Sequence, residues 1–114
     1  MILYRGEIEN NKFIYGHPYQ ENGEDFIISK GVITNKVITN SLMPYTGWKD
    51  KNGTKIFQSD TIKGFITKGE KTQEFIYQVV WKYSGFYVKS GSLVYLSLDD
   101  FISNCKGEIY VISS

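Results

Sequence analysis

The sequence has no alanine, one cysteine, two prolines, one histidine and only five leucines in 114 residues. A helical bundle needs Ala, Leu and other unbranched residues to fill helix positions at low cost, so this balance disfavours one. One cysteine excludes a disulfide scaffold. The opening segment Met1-Ile2-Leu3-Tyr4-Arg5-Gly6-Glu7 is not expected to be a signal peptide, and no apolar run approaches a bilayer span. With the unpaired Cys105, these features lead us to expect a cytoplasmic protein. Net charge is also lacking: 13 Lys and Arg stand against 12 Asp and Glu. A protein that grips many phosphates shows a clear basic excess, so nucleic-acid binding is the lesser expectation. Lys49, Lys51, Lys55, Lys63, Lys68 and Lys71 could still form a local patch, diluted by Asp50, Asp60 and Glu70.

What is present in quantity is β-forming. Fourteen Ile, seven Val and 16% aromatic residues suit a pleated surface packed on one side. The apolar spacing is mostly period two. It predicts strands at Lys12–Gly16, Asp25–Ser29, Gly31–Ile38, Asp60–Thr67, Gln73–Tyr83, Phe86–Lys89, Leu93–Leu96 and Glu108–Ile112. Asn22-Gly23 and Asn52-Gly53 mark tight turns, and Ser84-Gly85 and Ser90-Gly91-Ser92 mark others. Gly64 reads as a bulge or bend inside its strand. In the longest strand Phe75, Tyr77, Val79 and Trp81 share a face. One helix of two turns at most is expected, with Ser97 as N-cap, Asp99 and Asp100 in its first turn and Gly107 as its stop. The best internal seam lies near Pro44-Tyr45. The expected architecture is mainly β: a β-rich N-terminal extension over 1–44 and a small β-barrel over 45–114 carrying the short helix.

The segment Tyr45-Thr46-Gly47-Trp48-Lys49-Asp50-Lys51-Asn52-Gly53-Thr54-Lys55-Ile56-Phe57-Gln58-Ser59-Asp60-Thr61-Ile62 is the most informative. It resembles the signature of YopX-like phage proteins. Tyr4-Arg5-Gly6, Phe13-Ile14-Tyr15-Gly16, Val79-Val80-Trp81, Gly85-Phe86 and Leu96-Ser97-Leu98-Asp99-Asp100 look like other landmarks of that family, so the resemblance covers nearly the whole chain. It departs at Trp48, where the family usually has Leu, and at Gln58-Ser59, where it has Glu-Gly. A Gly at 59 would allow positive φ, so Ser59 implies either an ordinary φ or mild strain. The resemblance implies a phage or prophage setting and a C-terminal SH3-like β-barrel. It implies no activity and no catalytic residue.

The chemistry-bearing residues are sparse. His17, beside Pro18 in an expected turn, has no second His or Cys to complete a metal site. Cys105 would need a base to become a thiolate and reads better as a small core residue. Asp99-Asp100 and Glu24-Asp25 are sequence neighbours that diverge on any regular element, which makes poor acid–base pairs. No phosphate-binding glycine loop is present. The expectation is no catalytic set, no metal and no cofactor. Asp60 is expected to accept backbone N–H groups from a nearby loop. Thr46-Gly47 is expected to permit a close approach.

The surplus is aromatic. Small barrels can dock peptides or stack bases on such rings. The candidate binding surface is Trp48, Lys51, Tyr77, Trp81, Tyr83 and Tyr87, with Phe86 beside them. The leading expectation is a non-enzymatic accessory protein that binds a host or phage protein or itself, with no membrane role. A single-stranded nucleic-acid module is the alternative.

Overall fold

A computed structural model describes residues 3–9, 12–29 and 33–113, with the side chain of Ile33 outside the description. The expected strand start at Gly31-Val32 lies outside the described residues. The chain divides into two compact units, Met1–Tyr45 and Thr46–Ser114. Both are antiparallel β structures, and a single short helix is present among the described residues.

The first unit holds β1 (Tyr4–Glu9), β2 (Lys12–Glu21), β3 (Glu24–Ser29), β4 (Ile33–Lys36) and the start of β5 (Met43–Lys49), in the order β4-β3-β2-β1-β5. Asn22 and Gly23 both take positive φ, 51° and 78°, and close a two-residue hairpin between Glu21 and Glu24. This geometry matches the twist of the strands it joins. His17 and Pro18 are not in a turn. They lie within β2 opposite Ile28 and Ile27. The β1 partner of β2 reaches only as far as Gly16, so the missing N–H of Pro18 costs no ladder bond on that side. Among the described residues Ile27 and Val37 are the buried apolar residues of this unit.

The second unit holds the rest of β5, then β6 (Lys55–Phe57), β7 (Thr61–Lys68), β8 (Lys71–Lys82), β9 (Gly85–Ser90), β10 (Leu93–Ser97), α1 (Leu98–Asn104) and β11 (Ile109–Ser113). Its main sheet runs β10-β9-β8-β7-β11. The described pairings leave this sheet open, with β10 and β11 at its edges. Ser97 caps α1 as expected: its Oγ accepts the Asp100 N–H at 3.1 Å. The helix ends through Cys105, with Lys106 and Gly107 both at positive φ.

The core lies between α1 and one face of this sheet. Ile56, Ile62, Val79, Val88, Leu98, Phe101, Ile102, Cys105 and Ile109 are buried there. Each large member is worth about 1.5–3 kcal/mol in transfer from water. Gly64 is not a bulge, because the β7–β8 register runs through it without a break. It is the place where the helix lies flat on the strand. A Cβ at Gly64 would stand 2.5 Å from Phe101 Cζ and 2.7 Å from Cys105 Sγ. Adding one methyl at this position would force the helix away from the sheet. Tyr83 is not in the long strand. Tyr83 and Ser84, at φ 54° and 62°, form the β8–β9 turn, and Gly85 already belongs to β9. Strands β1, β5 and β6 add three elements that period-two spacing does not mark.

Candidate functional site

Two regions carry the residues singled out by the sequence. The first is the loop joining β5 to β6. Asp50 is only 8% exposed and organises it. Its Oδ1 accepts the N–H groups of Asn52 and Thr54, each at 2.9 Å, so the side chain builds its own turn. Its Oδ2 accepts the N–H of Val111 at 2.9 Å, and the Lys51 N–H donates to the Ile109 carbonyl at 3.0 Å. Together they occupy β11 backbone groups on the side that β7 leaves free. Asp50 therefore does for the edge strand what a neighbouring strand would do.

Asp60 is fully buried, and its Oδ2 accepts the Phe57 N–H at 2.8 Å, as expected for a carboxylate ahead of a strand. Its backbone binds the end of β6 and β8, with the Asp60 N–H on the Phe57 carbonyl and the Val79 N–H on the Asp60 carbonyl. Ser59 takes φ 74°, so the strained alternative is the one found. Gly47 does not serve a close approach. No atom lies within 4 Å of a Cβ there, and its φ of 90° is what demands glycine.

The Lys51 ammonium pairs with the Glu108 carboxylate, which also accepts the Tyr110 hydroxyl at 3.0 Å. The hydrogen bond to Lys51, then the one to Tyr110, holds the Glu108 carboxyl below its ordinary range. The same bond raises Lys51. Trp48 is 40% exposed, and its indole N–H donates to Asp99 Oδ1 at 2.8 Å. Trp48 and Lys51 thus lie at the loop, each tied to a carboxylate of the same unit.

The second region is the turn end of the β8–β9 hairpin. Trp81 stands opposite Phe86, with the rings edge-to-face at 4.9 Å. Tyr83, in the turn, meets Tyr87 edge-to-face at 5.7 Å. Trp81 continues the face of the buried Val79, while Tyr87 lies opposite Val80 on the other face. The two ring pairs therefore flank the hairpin end from both sides. Trp81 is 53% exposed and Tyr83 73%. Tyr77 is elsewhere, half-buried against Phe75, Tyr95 and Phe101 at the margin of the core. The six candidates are split among a loop, a core margin and a hairpin end.

Sequence reasoning missed the buried polar groups of the first unit. Arg5 is 3% exposed, with its guanidinium 4.4 Å from the centre of the Phe13 ring. Asp25 is 4% exposed and accepts the Gln20 side-chain amide at 2.6 Å and the Asn40 N–H at 3.0 Å. Among the described residues no three His, Cys, Asp or Glu side chains gather as metal ligands. No helix among them is long and apolar enough to cross a membrane.

These features define a small antiparallel β protein of two units, in which buried Asp50 fastens the β5–β6 loop to β11 and buried Asp60 holds the turn between β6 and β7. The chain belongs to the YopX family: the family model described as "YopX protein" matches residues 4–111. No curated protein and no solved structure matches it significantly.

Proposed function

We propose that this chain is a phage- or prophage-encoded accessory protein of the bacterial cytoplasm that binds a host or phage protein and performs no catalysis. The observation carrying this reading is the aromatic end of the β8–β9 hairpin. Trp and Tyr are the side chains that most often anchor protein interfaces. Here one of each projects beyond half exposure, and each is braced by a second ring. Tyr83 also sits at positive φ, where a bulky residue costs on the order of 1–3 kcal/mol. A residue without a Cβ would meet that turn geometry at lower cost, so a bulky exposed ring there is consistent with a role in binding.

The non-enzymatic reading is supported by how the reactive groups are engaged. Asp25, Asp50 and Asp60 are committed to backbone N–H groups. Burial pushes the Cys105 thiol up, away from the thiolate. We read the second unit as an SH3-like barrel whose closure is begun by the Asp50-Lys51 loop on β11. Self-association is a variant of the same reading, since edge strand β10 carries the exposed Leu93 and Tyr95. The single-stranded nucleic-acid reading is favoured by one observation, the Lys82 ammonium 5.2 Å from the centre of the Tyr83 ring.

The test compares the wild type with Trp81→Ala/Tyr83→Ala in affinity capture from host cells during phage infection, alongside light scattering. A partner or self-association lost in the double variant, at unchanged melting temperature, is the expected result. Retention of the same partner by the double variant overturns the assignment. Oligonucleotide affinity that falls steeply with salt would transfer it to the alternative.

A further inference from the structure

The opposite end of β8 carries a different surface. On β7 the side chains of Ile62, Gly64 and Ile66 alternate onto the core face, and on β8 those of Tyr77, Phe75 and Gln73 do the same. Helix α1 covers this face only as far as Gly64, where Phe101 and Cys105 rest on the strand. Beyond it a cavity of about 250 Å³ opens, floored by Ile66 and Phe75, with Gln73 beside them and Lys68 and Lys71 at the rim. Lys68 and Lys71 are direct cross-strand partners on that face. Among the described residues neither forms an ion pair, whereas Lys51 and Lys63 each have a carboxylate. Like charges placed directly opposite each other on a sheet destabilise the pairing.

We propose that this cavity binds an acidic peptide segment of a partner protein, with one aliphatic side chain on Ile66 and Phe75 and flanking carboxylates on Lys68 and Lys71. Charge complementarity selects the occupant: two ammonium groups at one apolar mouth require anions on either side of an apolar anchor. A nucleic-acid backbone would satisfy the lysines but leave the floor wet. The site is independent of the aromatic hairpin end. Phe75 and Trp81 are six positions apart on β8, roughly 20 Å at about 3.3 Å per residue.

The test is an NMR titration of the full chain with an acetylated, amidated peptide Glu-Glu-Leu-Glu-Glu, alongside its neutral counterpart Gln-Gln-Leu-Gln-Gln. Shifts confined to the amides of 66–75, with binding at least tenfold weaker for the neutral peptide, are expected. Lys68→Glu should weaken the acidic peptide at least tenfold while raising the melting temperature, because it turns a like-charge pair into an opposite-charge pair. A binding loss caused by misfolding would instead come with lower stability. Lys55→Glu should leave the titration unchanged, and so should Trp81→Ala/Tyr83→Ala, which separates this site from the proposed interface. Absence of shifts at millimolar peptide, equal shifts with the neutral peptide, or the same shifts produced by an oligothymidylate overturns the proposal.

Discussion

Ser59 holds a conformation that L side chains pay about 1–2 kcal/mol to adopt, and its φ is 74°. Its N–H donates to the Val79 carbonyl at 2.8 Å, so the strain is sustained by the same network that seats Asp60. Ser59→Gly relieves it at a smaller entropic cost. The expected outcome is a net gain of up to about 1 kcal/mol, read as a melting temperature raised by a few degrees. An unchanged or lower value would show that the Ser side chain contributes more than its backbone costs. Glu108 supplies a second residue-scale prediction. Its folded-state carboxyl titrates lower than in the unfolded chain, so it stabilises the fold above the ordinary carboxylate range. That contribution disappears as pH falls through the lowered value. Glu108→Gln should therefore flatten the acid limb of melting temperature against pH and leave its slope near neutrality alone. The role of Asp60 was legible from sequence, since an Asp just before a strand has few local alternatives, whereas the sequence marked the turn at Asn52-Gly53 but not the contacts of the Asp50 carboxylate. Arg5 and Asp25 were not legible. Each lies in a strand whose neighbours give no local sign that a polar side chain turns inward.

At the scale of elements, strands were legible where alternation persists for several residues, as in β3, β7, β8 and β9. β1 carries Arg, Gly and two Glu, β5 carries Pro, Thr and Gly, and β6 has three residues. β5 and β6 show no repeating two-residue pattern. In β1 the alternation of Arg5, Glu7 and Glu9 with Tyr4, Gly6 and Ile8 carries too little apolar surface to mark a strand. The pairing of β5 with β1 joins segments distant in sequence. The β8–β9 turn was misplaced by one residue because Gly85 is the expected turn former, yet the positive φ values fall on Tyr83 and Ser84. An Asn-Gly pair suits that turn better. Replacing Tyr83-Ser84 by Asn-Gly should raise the melting temperature by several degrees and abolish capture of the partner proposed above. Gain of stability with binding retained would separate the turn from the interface.

For the whole molecule, the buried apolar cluster belongs entirely to the second unit. Among the described residues the first unit buries Ile27 and Val37, together with the polar Arg5 and Asp25. About 45 residues fall near the lower limit for independent folding. A fragment of residues 43–114, which keeps β5 whole, should melt cooperatively by circular dichroism. Residues 1–45 alone should show no cooperative transition. The reverse outcome would move the folding nucleus into the first unit.

The span of the Asp50 contact gives the loop a history as well as a shape. Asp50 and Val111 are 61 positions apart, and Lys51 and Glu108 are 57 apart. On the ribosome the loop emerges long before the strand that fastens it. Until β11 follows, β7 has an unprotected edge and Asp50 Oδ2 lacks its Val111 donor. A chain stalled in that interval would present both to proteases and to other nascent chains. Completion of β11 thus covers the β7 edge and satisfies Asp50 in one step.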